Sequence, residues 1–202
     1  MVKQVRAART RQALVVAAAE IFAEDGYALA TLPAISKRAG VSTGALHFHF
    51  ASKEALAKEV EQVAADSVEK MAAACRASAD TLLQSLVTAT GRLLASVAAD
   101  PVIRAGFKLG NDPSRKSGAG VPQWWCVWVH DLVARAQEAG ELADDVSPQD
   151  AAASIVAATV GLEVLGTWDR AWLSRDRVAH FWAFILPRLA AAPQRIRVEP
   201  GG

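Results

Sequence analysis

Within Ser42–His49 the chain offers two hydroxyls, a bare glycine and two imidazoles in the sequence STGALHFH. On one face of a short helix, Thr43, Gly44, Ala45 and His47 would combine small size with hydrogen-bonding capacity. Those properties suit close approach to base edges in a DNA major groove. Cations at Arg6, Arg9, Arg11, Lys37 and Lys53 surround this stretch, and cations of that kind neutralise phosphates. Thr31, Ser42 and His49 complete the set of candidate DNA contacts.

Two short helical patterns must position these groups. In TLPAISKRAGVSTGALHFHFASK, Thr31 caps a first helix whose apolar face is Leu32, Ile35 and Ala39. Gly40 suits the left-handed residue that ends it. Ser42 caps a second helix of roughly Ser42 to Phe48, too short to be stable alone. Val41, Leu46 and Phe50 therefore turn toward Leu32 and Ile35, leaving Thr43, Gly44, Ala45 and His47 outside. This is the pattern of a helix-turn-helix. His47 and His49, at i and i+2, fall on different helix faces and make no metal pair.

An amphipathic helix through about Glu24, buried through Leu14, Ala18, Ile21 and Phe22, precedes the motif as its scaffold. Ser52 caps a helix running to about Cys75, long enough to link an N-terminal head to the rest of the chain. Beyond Ala77 the pattern becomes that of apolar bundle helices. One carries Leu82, Leu83, Leu86, Val87, Leu93, Leu94 and Val97 and ends near Asp100-Pro101. A short piece, Val102 to Leu109, leads into GNDPSRKSGAG, a loop signal in which Arg115 and Lys116 read as solvated. Val121, Trp124, Trp128, Leu132 and Arg135 then share one side of a helix, with Trp125 elsewhere. Ser147-Pro148 opens a helix rich in small residues, and a last helix spans about Ser174 to Ala191. The fold class is all-α, with a three-helix head over 1–51 and a ligand-binding and dimerisation bundle over 52–202.

The chain's 202 residues are 52% hydrophobic, which excludes disorder and permits a substantial core. Residues 1–53 hold seven Lys or Arg against three acidic groups, a local +4, within a formal net charge of +1. The basic N-terminus lacks the apolar core of a secretory signal, so a cytoplasmic location is expected. Cys75 and Cys126 have no metal-ligand spacing and read as small buried groups. No cofactor or metal is expected.

The Thr cap, Ala-Gly-Val-Ser, Gly-Ala-Leu, His-Phe and Ser-Lys-Glu, with Gly26 and Tyr27 before them, closely resemble the DNA-binding head of the TetR family of bacterial repressors. Within that family, VRAARTRQALVVAAAEIFAEDGY, GVSTGALHFHFASKEALA, DPVIRAGFKL and VPQW resemble the γ-butyrolactone autoregulator receptors and pseudo-receptors of filamentous antibiotic-producing bacteria. The resemblance implies a homodimeric repressor of antibiotic-pathway genes and of its own gene, released by a small hydrophobic signal. It also implies a ligand cavity walled by Trp124, with Phe107, Trp128, Thr159 and Gln62 as further candidates. Related receptors often carry Lys and Tyr where this chain has Thr43 and His47, so their operator cannot be transferred to it.

Three other readings are open on the residues. A TetR-type regulator of efflux or stress genes would sense a hydrophobic drug. A lactone-processing enzyme would use His130 and Asp131, or His180, as acid-base groups, but no nucleophile elbow or metal motif accompanies them. A helical adaptor would bind only protein.

Overall fold

A computed structural model describes residues 2–115 and 120–198 of the chain. They are almost wholly helical: α1 Val2–Leu29, α2 Leu32–Arg38, α3 Thr43–His49, α4 Lys53–Ser78, α5 Leu82–Ala99, α6 Pro101–Gly110, α7 Val121–Glu138, α8 Pro148–Gly166 and α9 Arg175–Leu189, with single 3-10 turns at Arg170–Leu173 and Pro193–Arg195. Lys116 lies outside the described residues, as does the middle of the glycine-rich loop.

Most helix starts are set by the capping residues read in the sequence. The Thr31 hydroxyl accepts the Ala34 N–H at 3.3 Å, Ser42 accepts Ala45 N–H at 3.1 Å and Ser52 accepts Ala55 N–H at 3.0 Å. Ser147 and Ser174 do the same for α8 and α9. Each satisfies an N–H that the helix itself leaves without a partner. Gly40 ends α2 at φ 68°, and Gly26 breaks α1 at φ 78°, both backbone states that a Cβ disfavours.

The chain divides into two compact units: residues 1–67 with 100–122, and residues 68–99 with 123–202. The units therefore do not match a cut at residue 51, because α6 packs along α1 and joins the head's unit. In the first unit Leu14, Ala18, Ile21 and Phe22 of α1 are buried with Ile35, Leu46, Phe50, Leu56 and Leu109. Gly106 allows α6 to approach closely: a Cβ there would lie 2.5 Å from the Ala64 Cβ and 3.1 Å from Val121 Cγ2.

In the second unit α5 packs against α8 and α9. Its core face includes Leu82, Leu83, Leu86, Leu93, Leu94 and Val97, all buried as the pattern predicts. Among the described residues α5 is the helix long and apolar enough to cross a bilayer by composition, but it carries Arg92 and packs much of its surface into the protein. The Glu141 carboxylate caps its start, accepting the Leu82 and Leu83 N–H groups at 2.9 and 2.8 Å. An anion is favoured there by the helix dipole.

The tryptophans of α7 divide between core and half-buried positions. Trp125 is fully buried with Val129, Leu132, Val133 and Ala136, while Trp124 and Trp128 are half-buried and Arg135 is exposed. The row of Trp125, Val129 and Val133 at intervals of four defines the inward side, and the charge of Arg135 marks the outer one. Cys75 is buried, whereas Cys126 is half-buried; both are free thiols.

Two glycines with different surroundings give opposite expectations. Gly106→Ala lowers stability by about 1–3 kcal/mol through overpacking. Gly91→Ala, where a Cβ meets nothing within 4 Å, raises it by about 0.5–1 kcal/mol through helix propensity. Denaturant unfolding midpoints of the two variants check both signs.

Candidate nucleic-acid interface

The candidate recognition element is α3, a seven-residue helix that cannot persist unsupported. Leu46 and Phe50 are buried against Ile35, with Leu32 and Val41 packed at the edge of the same cluster. This packing turns Ser42, Thr43, Gly44, His47 and Phe48 to the exposed side, with Ala45 and His49 half-buried. Thr43 Oγ1 lies 3.3 Å from Ser36 Oγ, which donates to the Pro33 carbonyl at 3.0 Å. The Ser36 proton is thus committed, so the Thr43 hydroxyl donates toward Ser36. That contact fixes the first turn of α3 against α2.

Phe48 is 82% exposed and is absent from the sequence-derived contacts. Its signal is nevertheless present in the sequence: with Leu46 and Phe50 turned inward on either side of it, the residue between them must point out. An exposed aromatic ring on a recognition helix can pack against thymine methyl groups. It meets His49 edge-on, with ring centroids 5.2 Å apart.

The cations divide into available and engaged. Arg6, Arg9 and Lys37 are exposed, as is Thr31. Arg11 pairs with Glu59 and lies over the Phe50 ring. Lys53 directs its ammonium at the carbonyls of Tyr27, Ala28 and Ala30, at 2.7, 3.4 and 2.9 Å, and sits 4.4 Å from the Tyr27 ring centroid. It therefore serves as a cationic cap for the end of α1. Arg38 bridges Glu20 and Glu24 of α1, each at 3.0 Å, and braces α2.

A second set of charges lies behind this surface, and it corrects the expectation that Arg115 is solvated. Its side chain is 1% exposed and donates to Glu61 at 2.8 Å, to Glu54 at 3.0 Å and to the Leu109 carbonyl at 3.0 Å. Burial opposes its charge, and the hydrogen bonds to Glu61 and Glu54 more than offset this, holding its pKa above the ordinary arginine value. The guanidinium also covers the Tyr27 ring. Burial, then the hydrogen bond to Glu54, pushes the Tyr27 phenol up. Lys108 donates to the Ala23 carbonyl of α1. Loop, α4, α6 and α1 are thereby tied together by buried charge, for which a loop composition gives no warning.

The residues expected at a ligand cavity divide between the two units. Trp124 and Trp128 stack with centroids 6.0 Å apart, and Trp128 also stacks on Trp125 at 5.1 Å. Thr159 is buried in the same unit, its hydroxyl donating to the Ile155 carbonyl at 2.8 Å. Phe107, fully buried, and Gln62, exposed and bonded to Asp66 at 2.7 Å, belong to the first unit. His130 and His180, candidates for acid-base chemistry, are both exposed, and among the described residues no His, Cys, Asp and Glu cluster could hold a metal.

Residues 14–60 match the family described as bacterial regulatory proteins, tetR family. Over 208 aligned residues the chain is 35% identical to the A-factor receptor protein of Streptomyces griseus, with 100% of this chain and 71% of that protein covered. The chain belongs to the TetR family. Its fold matches the crystal structure of a γ-butyrolactone receptor described as ArpA-like, with a TM-score of 0.81, 26% identity and coverage of 94% and 92% of the two chains. It also matches CprB of Streptomyces coelicolor in complex with its operator sequence, with a TM-score of 0.78, 27% identity and the same coverage. This TetR-family chain is accordingly a regulator, homologous to γ-butyrolactone receptors, and not an enzyme.

Two substitutions separate the roles of these charges. Arg9→Ala weakens DNA binding equally across sequences and makes the dependence of log affinity on log salt shallower by about one. Titrations at several salt concentrations check it. Arg115→Met leaves Glu61 buried without its cation and costs about 3–5 kcal/mol, read from unfolding of the whole chain.

Proposed function

We propose that this TetR-family regulator is a homodimeric repressor that binds a pseudo-palindromic operator and leaves it on binding a small hydrophobic signal. The observation that carries the reading is the capped, packed α3 with its outer face open, in a chain related over its whole length to the A-factor receptor protein. Two such helices placed about 34–36 Å apart would enter successive major grooves. Arg6, Arg9 and Lys37 hold phosphates, while Thr43, Gly44, His47 and Phe48 face the bases. Thr43 in place of a lysine removes a guanine reader, so the operator preference shifts away from that of relatives by about 1–3 kcal/mol at the affected position.

The dimer is supported by the exposure of Val164 on α8, Trp168 just beyond its end and Phe184 on α9, at 41%, 79% and 85%. Exposed large apolar side chains beside the small-sided α8 suit an isologous four-helix contact. For the signal, the stacked Trp124 and Trp128 offer an aromatic wall of the kind that accommodates a lactone, butenolide or furan with an alkyl tail. The effector acts through its preference for the state that cannot span the operator. Targets are the chain's own gene and genes of antibiotic biosynthesis, in the cytoplasm. A regulator of efflux or stress genes that senses an aromatic drug is the second reading, favoured by the same tryptophan pair.

The deciding experiment measures binding to the DNA upstream of the chain's own gene at fixed salt, with γ-butyrolactones, butenolides, furans and antibiotics added in turn. Specific binding released by a lactone-type compound is expected, with Trp124→Ala raising the concentration needed about tenfold or more. Release by an antibiotic alone favours the second reading. Failure to bind the upstream DNA removes autoregulation.

A further inference from the structure

The second unit contains a cavity of about 540 Å³ between α5 and α9, bordered by the chain after α9. Its volume falls within the range of small-molecule sites, about 300–1,000 Å³. None of the residues expected to meet the hydrophobic signal lines it.

The chemistry of its wall is one-sided. Arg92, Arg175 and Arg197 contribute guanidinium groups, and no carboxylate is among the lining residues. The neutral polar groups are already paired within the protein. Gln84 exchanges two hydrogen bonds with the Arg197 backbone, at 2.7 and 3.1 Å, Thr88 donates to the Gln84 carbonyl at 2.9 Å, and Ser78 donates to the Cys75 carbonyl at 3.2 Å. Arg197 is held by Asp80 at 3.3 Å. Arg92 and Arg175 have no carboxylate partner among the described residues.

Arg175 is also the first residue of α9, beyond the Ser174 cap, so the positive end of the helix dipole adds to its charge. The remaining wall is apolar: Val87, Ala95, Val178, Val198 and Trp182. The Trp182 indole is buried, and its N–H has no acceptor among the described residues.

We propose that this cavity binds a small organic acid, with its carboxylate held by Arg92 and Arg175 and its apolar body against Val87, Val178 and Trp182. Arg92 hydrogen-bonds the Cys75 thiol, and two cations with no carboxylate partner among the described residues, at the edge of an apolar wall, favour a ligand that carries one negative charge and one greasy surface. A neutral lactone could accept a hydrogen bond but brings no counter-charge to either guanidinium. The site is therefore separate from the one assigned to the hydrophobic signal, and its existence does not depend on that assignment.

Calorimetric titration of the full chain with octanoate, octanamide and sodium sulfate tests the proposal. Octanoate binds at least tenfold more tightly than its neutral isostere octanamide and more tightly than sulfate. Arg92→Gln and Arg175→Gln each weaken octanoate about tenfold, while Trp124→Ala leaves it unchanged. Both arginines are exposed, so these variants keep the fold, which circular dichroism verifies. Equal binding of octanoate and octanamide, equal binding of octanoate and sulfate, or an Arg92→Gln/Arg175→Gln double variant that binds octanoate like the parent overturns it.

Discussion

A seven-residue helix has no stability of its own, and the first unit is built around having to hold α3 in place. Its caps satisfy the exposed N–H groups, but only burial of Leu46 and Phe50 supplies enough free energy to fix its orientation. The surface that receives them is made by α2 and α1, and these in turn need bracing. Arg38 ties α2 to α1, Lys53 and Lys108 bind carbonyls near the end of α1, and Arg115 ties the loop after α6 to α4. The recognition surface is thus the outermost layer of a stack of dependent contacts.

Much of this was legible in the sequence, because short-range chemistry dictates it. A hydroxyl residue ahead of an apolar repeat can satisfy orphan N–H groups, so Thr31, Ser42, Ser52, Ser147 and Ser174 mark helix starts reliably. Gly40 marks a stop for an equally local reason. The helix-turn-helix and the apolar face of α5 rest on periodicity over one or two turns, and the structure agrees with both.

The features that escaped are set by partners distant in sequence. Arg115 lies in a stretch of Gly, Ser and Pro, and its burial depends on Glu54 and Glu61, more than fifty residues away. On α7, spacing alone does not rank the tryptophans, because Val121 and Leu132, on the side of Trp124 and Trp128, are buried along with Trp125, Val129 and Val133. Phe48 was missed for the opposite reason, since an aromatic residue invites a place in the core even where its neighbours at i−2 and i+2 already occupy it.

The engagement of Arg11, Lys53 and Arg38 within the protein has a consequence for how this regulator finds its target. A protein rich in free cations adheres to any duplex and lingers on the many irrelevant sites of a chromosome. Here three of the basic groups near the recognition helix are already occupied by the chain's own carboxylates and carbonyls. Arg6, Arg9 and Lys37 stay exposed, so on the proposed function the head would gain less from arbitrary DNA than its full count of basic residues suggests. On the proposed function its residence would then be weighted toward the sequence that fits the small outer face of α3, with selectivity coming from restrained adhesion as well as from added contacts.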